Sequence, residues 1–385
     1  MIRDPQSLQS LLETVRRFVA ERWRPHEARV EADDAVPEEI VEELRRLGFF
    51  GWSIPQEFGG LGLATEELVL AAFELSQCSV ALRARVGTNT GIGSEALVAD
   101  GTDAQKRRWL PRMACGELTG CLALTEPQAG SEASNVQTTA RRDGEHYVLD
   151  GQKCYITNAP IADLFTVIAR TETGSQGSSG LSALMVERAT PGLRTGPAYR
   201  KMGQAGSPVS DVFFDGCRVP AANLIGGEEG RGFRTLMKVL NKQRLHLAAL
   251  CTGPAIRMLE MAVDHTSQRR QFGAPVSSFQ LVQAMIADSR TEIFAARSMI
   301  LEAARMRDRG EDVALEASMC KYFASEMCGR VADRCVQMFG GAGYVADHSP
   351  IERFYRDVRL FRLYEGTSQI HQLNIAKQVL RGVGA

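Results

Sequence analysis

The spacing of apolar residues changes period twice along this 385-residue chain, and a chain that does so cannot fold as one kind of layer. From Leu8 to about Leu118 the apolar positions fall three and four apart: Leu8, Leu11, Leu12, Val15, Phe18 and Val19, then Ile40, Val41, Leu44 and Leu47, then Leu68 to Phe73, with Trp109-Leu110 further on. That is the stripe of an amphipathic helix. Pro37-Glu38-Glu39 reads as a helix start and Gly59-Gly60-Leu61-Gly62 as a turn. Between Thr119 and Pro220 the rhythm shortens. His146 to Asn158 reads as two strands around a hairpin at Asp150-Gly151, and Leu164–Ala169, Leu181–Val186 and Val209–Phe214 as further strands. Thr171 to Gly180, rich in Gly and Ser, reads as a flexible loop. No helical pattern separates these strands, so an antiparallel β domain is expected rather than βαβ units. After Gly230 long helical periods return, through Phe233, Leu236, Leu240, Leu247, Cys251 and Met258, then Phe279 to Ile300, then Leu315 to Met338. A last helix begins near Thr367-Ser368, both plausible caps. The expected fold is α+β and multi-domain: an N-terminal helical domain (1–118), a middle antiparallel β domain (119–230) and a C-terminal four-helix bundle (231–385).

Charge excludes several classes of partner. Lys+Arg 45 against Asp+Glu 46 gives a formal charge of −1 with no polybasic run, so neither nucleic acid nor a membrane surface is expected. Nowhere do about eighteen apolar residues run together, so no membrane insertion is expected. Met1 to Arg24 carries Arg3, Asp4, Glu13, Arg16 and Arg17 and lacks the apolar stretch of a signal peptide. The nine cysteines contain no C-x-x-C pair, which suits a reducing, cytoplasmic location without disulfides or zinc. The six histidines show no H-E-x-x-H, and no metal site is expected. Gly340-Gly341-Ala342-Gly343 follows a helix rather than a strand, so it reads as a helix end and turn instead of a Rossmann fingerprint.

Three motifs admit chemistry beside a plain structural role. Leu124-Thr-Glu-Pro-Gln-Ala-Gly-Ser131 is either a turn or a backbone cradle whose N–H groups meet an anion or an electron-rich ring edge. Tyr364-Glu-Gly-Thr-Ser-Gln-Ile370 puts a carboxylate just before a helix, either as a dipole partner or, with Gly366 beside it, where a ligand approaches closely. Arg269-Arg-Gln-Phe-Gly273 with Phe279-Gln280 is either a solvated face or a set of cations and an amide around a helix break.

Taken in order, Thr-Glu-Pro-x-Ala-Gly-Ser from Thr125, Lys-x-x-Ile-Thr-Asn from Lys153, Arg-x-Gln-Phe-Gly from Arg269, Gly-Gly-x-Gly-Tyr from Gly340 and Tyr-Glu-Gly-Thr-Ser-Gln-Ile from Tyr364 make this chain resemble the acyl-CoA dehydrogenase family. The likeness runs from Ile54-Pro-x-x-Phe-Gly-Gly-Leu-Gly62 to Ile375-Ala-Lys377. It implies FAD in a cleft between the β domain and the C-terminal helices, completed by a neighbouring subunit of a homotetramer built as a dimer of dimers. Leu124, Thr125, Gly130 and Ser131 would then lie along the flavin and its pyrophosphate, Tyr155 against the ring system and Thr157 near N5. Arg269, Phe272, Gln280, Gln337, Gly340 and Gly341 would hold the adenine-diphosphate half across the subunit interface, and Thr367 and Gln369 would touch the cofactor beside the catalytic acid.

Glu365 matches the family's general base, with Ser131, Asn241, Arg244 and Gly366 toward the substrate. The implied reaction is α,β-dehydrogenation of an acyl-CoA to a 2-enoyl-CoA, Glu365 removing the α proton and flavin N5 accepting the β hydride, with an electron-transfer flavoprotein as partner. An α C–H beside a thioester is a very weak acid, so its removal needs a base held in contact in a dry site. In the branch typified by isovaleryl-CoA dehydrogenases the base stands at the position of Gln243, which cannot serve. Tyr155 replaces a frequent Trp, Asn241 a frequent Asp near the pantetheine, and Gln204-Ala205 a bulkier pair. The last two changes also suit an acyl group carried on a carrier protein, and the scaffold also suits a flavin oxidase or monooxygenase using O₂. Arg83 lies near where glutaryl-CoA dehydrogenases hold a substrate carboxylate, and otherwise reads as a helix-face salt bridge.

Overall fold

The computed structural model describes residues 2–172 and 174–381, so Thr173 of the Gly/Ser loop and the outermost ends of the expected domains lie outside the described residues. Seven helices come first: α1 (Pro5–Arg17), α2 (Glu27–Asp33), α3 (Glu38–Arg46), α4 (Thr65–Leu75), α5 (Val80–Gly87), α6 (Glu95–Asp100) and α7 (Asp103–Ala114). Their ends follow from local chemistry. Asp4 accepts from the Gln6 and Ser7 amides at 3.0 and 3.3 Å to open α1, and Thr102 with Gln105 forms a capping box on α7.

The middle of the chain holds β1 (Gly120–Ala123), β2 (Thr139–Asp143), β3 (His146–Thr157), β4 (Leu164–Arg170), β5 (Leu181–Glu187), β6 (Leu193–Thr195) and β7 (Val209–Pro220) in one sheet, ordered β1-β4-β2-β3-β7-β6 with β5 on the other edge of β4. Two expectations are corrected here. The sheet is mixed rather than antiparallel, because β1 pairs in parallel with β4 from Gly120↔Leu164 to Ala123↔Val167. That pairing is anchored where Asp163 accepts the Thr119 amide at 2.9 Å, and the β2–β3 hairpin fills the crossover that a helix would otherwise occupy. Asp150-Gly151 is also not a hairpin. It is a bulge inside the single twelve-residue strand β3, where a Cβ on Gly151 would stand 2.6 Å from Thr138 Oγ1. The turn falls instead at Gly144, whose φ of 57° needs no side chain. The Gly/Ser loop is wrapped around Arg170, which donates to Ser175 Oγ at 2.9 Å and to the Ser179 carbonyl at 2.8 Å.

After β7 come α8 (Gly232–Gln268), a small hairpin of β8 (Arg270–Gln271) and β9 (Ala274–Pro275), then α9 (Gln280–Asp308), α10 (Ala314–Phe339), α11 (Ile351–Val358) and α12 (Ser368–Arg381). Helices α8, α9 and α10 pack together with α12 laid on α10. Their core also takes in Val69, Ala72, Phe73 and Val80, so α4 and α5 of the first third are built into the C-terminal bundle. Among the described residues no helix is long and apolar enough to cross a membrane.

Candidate active site

Glu365 sits between a short 3₁₀ turn (Arg359–Arg362) and α12, with φ of 53°. Its neighbour Gly366 has φ of 94°, and a Cβ there would stand 2.9 Å from His371 Nε2. Both carbonyls are held. Lys321 of α10 donates from Nζ to the Gly366 oxygen at 2.6 Å, and His371 Nε2 lies 3.2 Å from the Glu365 oxygen, so that ring nitrogen carries the proton. Burial lowers the His371 pKa to about 3, which keeps the ring neutral. The Thr367 hydroxyl accepts the Ile370 amide at 3.2 Å and caps α12.

The carboxyl is treated differently from the backbone. Glu365 Oε2 is sheltered from solvent and has no hydrogen-bond partner among the described residues. Burial raises its pKa above the usual carboxylate range, against the opposing pull of Arg83, Lys321 and Arg244. Arg244 of α8 is held by Asn241 Oδ1 at 2.9 Å and has its own pKa lowered by burial. Gln243 beside it is buried, with its Nε2 unpartnered and its amide packed on Gly91. Arg83 donates to the Tyr364 hydroxyl and lies over the Tyr364 ring at 5.1 Å, so it is engaged with the Glu365 segment rather than with an acid on its own helix.

A buried carboxylate, Glu126, organises the other motif pair. Glu126 accepts Lys153 Nζ at 2.6 Å, the Gln137 amide at 2.6 Å, and Thr138 through its amide at 2.9 Å and its hydroxyl at 2.5 Å. Lys153 Nζ donates further to the Leu124 and Ile168 carbonyls at 3.2 and 2.7 Å. Burial alone would raise the Glu126 pKa, but Lys153 and these donors hold it below the usual value, while burial brings Lys153 down to about 8. This pair ties the Leu124–Ser131 loop to β3, with Cys154 N donating to Thr125 O at 2.8 Å. Glu126 and Lys153 were not among the expected site residues, although the single acid of the Leu124–Ser131 motif and the single lysine of the His146–Asn158 segment were the available signal.

The loop so fixed leaves Gly130 and Ser131 exposed, and nothing lies within 4 Å of where a Gly130 Cβ would be. Tyr155, at φ of 58°, is 69% exposed and lies 5.6 Å from the Tyr199 ring. Thr157 ends β3, and the next residue, Asn158, donates from Nδ2 to the Ala84 carbonyl at 2.9 Å. Ala84 and Arg83 are consecutive on α5, so the end of β3 and the Glu365 segment meet across that helix. Open backbone at Gly130-Ser131, an uncovered aromatic at Tyr155 and an unpartnered carboxyl reached across α5 fit a planar, phosphate-bearing cofactor such as FAD.

The remaining expected residues stand elsewhere. Arg269, Phe272, Gln280, Gln337, Gly340 and Gly341 are all exposed where α8 ends, α9 begins and α10 ends, a corner pinned by the His265–Phe339 ring stack at 4.2 Å. From Lys321 to Gln337 along α10 is about 24 Å at the helical rise of 1.5 Å per residue. One chain therefore does not gather both halves of the expected set. Gln369 is exposed on the first turn of α12 and Asn241 half-buried on α8. No group of three or more His, Cys, Asp or Glu among the described residues is arranged to hold a metal ion.

Helical, β and helical thirds around a carboxyl whose Oε2 is sheltered and unpartnered make a scaffold suited to a bound planar cofactor. The family descriptions for the N-terminal, middle and C-terminal domains of acyl-CoA dehydrogenases match residues 5–117, 121–217 and 230–380, and the chain belongs to this family of FAD-dependent enzymes acting on acyl-CoA. It is 38% identical to an acyl-CoA dehydrogenase of Bacillus subtilis over 96% of each chain. It is also 38% identical to an acryloyl-CoA reductase (NADH) of Anaerotignum propionicum, covering 99% of this chain and 95% of that one. A chain from the structure of the electron transferring flavoprotein of Acidaminococcus fermentans superposes with a TM-score of 0.94 at 35% identity, covering 99% of this chain and 100% of that one.

Proposed function

We propose that this enzyme desaturates an acyl-CoA to the 2-enoyl-CoA, with Glu365 as the base that takes the α proton. The carrying observation is the Glu365 carboxyl, whose Oε2 is sheltered from solvent and has no hydrogen-bond partner among the described residues. A carboxylate paired by donors is a poor base, whereas one whose oxygen is free and whose charge is disfavoured by burial gains by accepting a proton. The substrate loses two hydrogens: the α proton goes to Glu365, and the β hydrogen leaves with the bond electrons. FAD, when bound, supplies the acceptor for that hydride. Leu124, Thr125, Gly130, Ser131, Tyr155 and Thr157 would hold the flavin half, with Thr367 and Gln369 beside it. Ser131, Asn241, Arg244 and Gly366 would line the thioester side, and Arg244 with Lys321 favours the ionised form of the base before it takes the proton.

The exposed set Arg269, Phe272, Gln280, Gln337, Gly340 and Gly341 would serve the adenine-diphosphate half bound by a second copy. Its separation from Glu365 and the exposure of Phe272 (97%) and Leu281 (82%) support a homo-oligomer, organised as a dimer of dimers. Domains at 1–118, 119–230 and 231–385 and an electron-transfer flavoprotein as electron acceptor complete the reading. Gln204 is buried and Asn241 is bonded to Arg244, so the two departures that suit a carrier-bound acyl group face inward, which favours acyl-CoA. Changing Glu365 to Gln should leave the protein yellow with bound FAD and lower turnover about 10²- to 10⁴-fold; turnover within tenfold of the parent refutes the assignment.

The reverse direction, reduction of a 2-enoyl-CoA, is favoured by the reductase from Anaerotignum propionicum and by the same raised Glu365, since a protonated carboxyl is then the required donor. The two directions predict opposite pH limbs. Desaturation falls as pH drops through the Glu365 pKa, and reduction falls as pH rises through it.

A further inference from the structure

Helix α5 and the turn after it are buried almost all round. From Val80 to Gly91 only Arg83 and Gly87 are half-buried, and the residues between and beside them are buried. Arg83 and Gly87 stand one turn apart on the same helix face. Three contacts put that face at the candidate active site. Arg83 donates to the hydroxyl of Tyr364, the residue before Glu365. Asn158, which follows Thr157 at the end of β3, donates from Nδ2 to the Ala84 carbonyl at 2.9 Å and to Thr88 Oγ1 at 3.0 Å. Gly91, a further four residues on, is covered by Gln243 of α8, whose Cδ would stand 2.9 Å from a Cβ on that glycine.

Gly87 lies between these contacts with room where its side chain would be. Outside its own stretch of helix, a Cβ there would meet only Arg83 Nη1, at 4.0 Å. Its backbone is helical and its φ lies outside the left-handed region. Glycine weakens a helix relative to alanine, and here the fold draws neither a tight approach nor a special dihedral from it. The neighbouring glycines differ. Gln243 crowds Gly91, and the Gly120 carbonyl carbon would stand 2.8 Å from a Cβ on Gly93.

We propose that Gly87 is a specificity-determining residue of the acyl site: the room it leaves on α5, between Arg83 and Gln243, takes the far end of the acyl group and sets the bulk that the enzyme accepts. The proposal rests on the acyl-CoA reading of the site. It names the substrate class as acyl-CoAs whose tail is long or branched enough to reach α5. In a closed apolar pocket one methylene more or less changes selectivity roughly 10- to 200-fold, so a side chain on Gly87 acts as a graded plug.

The test uses G87A, G87V and G87L on FAD-loaded protein. Straight acyl-CoAs from butyryl to decanoyl, with isobutyryl- and isovaleryl-CoA, are compared by kcat/KM. Binding of the matching 2-enoyl-CoAs is read separately from the change they cause in the flavin absorbance. Each larger side chain should move the preference toward smaller acyl groups, and G87V should lower kcat/KM for the bulkiest group that the parent accepts roughly 10- to 200-fold relative to the smallest. The dissociation constants should follow the same order. The thermal midpoint of G87A should equal or exceed that of the parent. An unchanged order of preference in G87V, an equal loss over the whole series, or a G87A protein that melts well below the parent each overturns the proposal; the last would mean that the fold itself needs the glycine. E365Q should bind the enoyl-CoA series in the parent's order, since the plug acts on binding and not on proton transfer. Full turnover in E365Q would sink the assignment of the base and leave the size preference measurable, so the two failures are told apart.

Discussion

Glu126 and Glu365 each have a carboxyl oxygen sheltered from solvent, and the fold handles them in opposite ways. Glu126 is given Lys153, two backbone amides and a hydroxyl, whereas Glu365 Oε2 is given none. The difference appears in the direction each pKa moves: Glu126 falls below its usual value and Glu365 rises above it. A carboxylate saturated with donors holds two segments together and has no reason to take a proton. One kept dry among cations that do not touch it is stable in neither state for long, which is the condition for proton transfer. The contrast separates a support from a chemical group without any knowledge of the substrate.

The largest effect that would test this contrast is on rate. E365Q should lose turnover by the factor given above while keeping or slightly raising its thermal midpoint, because a buried charge without a partner has been removed. E126Q should do the reverse. Leaving Lys153 buried without its acid costs about 3–5 kcal/mol, so thermal or denaturant melting should show a large loss, and FAD retention should fail as the Leu124–Ser131 loop loosens. Replacing both residues by E126L/K153M should recover most of that stability, since a buried pair exchanged for apolar groups is often neutral. An E126Q protein as stable as the parent would erase the distinction.

The next effect is on pH. Glu126, lowered in the fold, contributes stability that is present above the unfolded carboxylate pKa and is lost as pH falls through its folded value. Glu365, raised in the fold, contributes stability below the unfolded value and loses it as pH rises through the folded one. Melting of the parent against E365Q across pH 4 to 8 (roughly the span over which carboxyls ionise) should therefore show a gap that grows with pH in favour of E365Q. A gap that shrinks with rising pH would mean that Glu365 is paired in solution. The smallest effect is at the cap: T367A removes the oxygen that receives the Ile370 amide and should cost ~1 kcal/mol in melting, with a modest fall in turnover as the Glu365 segment frays.

Much of the architecture is legible in the sequence alone. The helix–strand–helix change of rhythm placed α1 to α7, the β region and α8 to α12, because burial on one face imposes a period that depends only on the local backbone. What failed failed for non-local reasons. Asp150-Gly151 has the composition of a hairpin, yet Thr138 from the neighbouring loop packs against Gly151 and the strand runs through as a bulge. The parallel β1–β4 pair is invisible to any window of sequence, since its register is set by Asp163 meeting Thr119 across 44 positions. Gln204, legible in the sequence only as half of a pair that replaces bulkier residues, is an internal anchor whose partner Asp357 lies 153 positions away.

The sequence by itself determined the order of layers, the family and the candidate base, because periodicity, turn residues and a short acidic motif are local properties of the chain. Only the tertiary structure decided that Glu365 Oε2 is left without donors while Glu126 is surrounded by them, and that Arg83 of the first helical third reaches the Tyr364 hydroxyl. Those outcomes depend on which distant side chains arrive at a dry site, where a missing hydrogen bond changes the energy of a charge far more than it would in water.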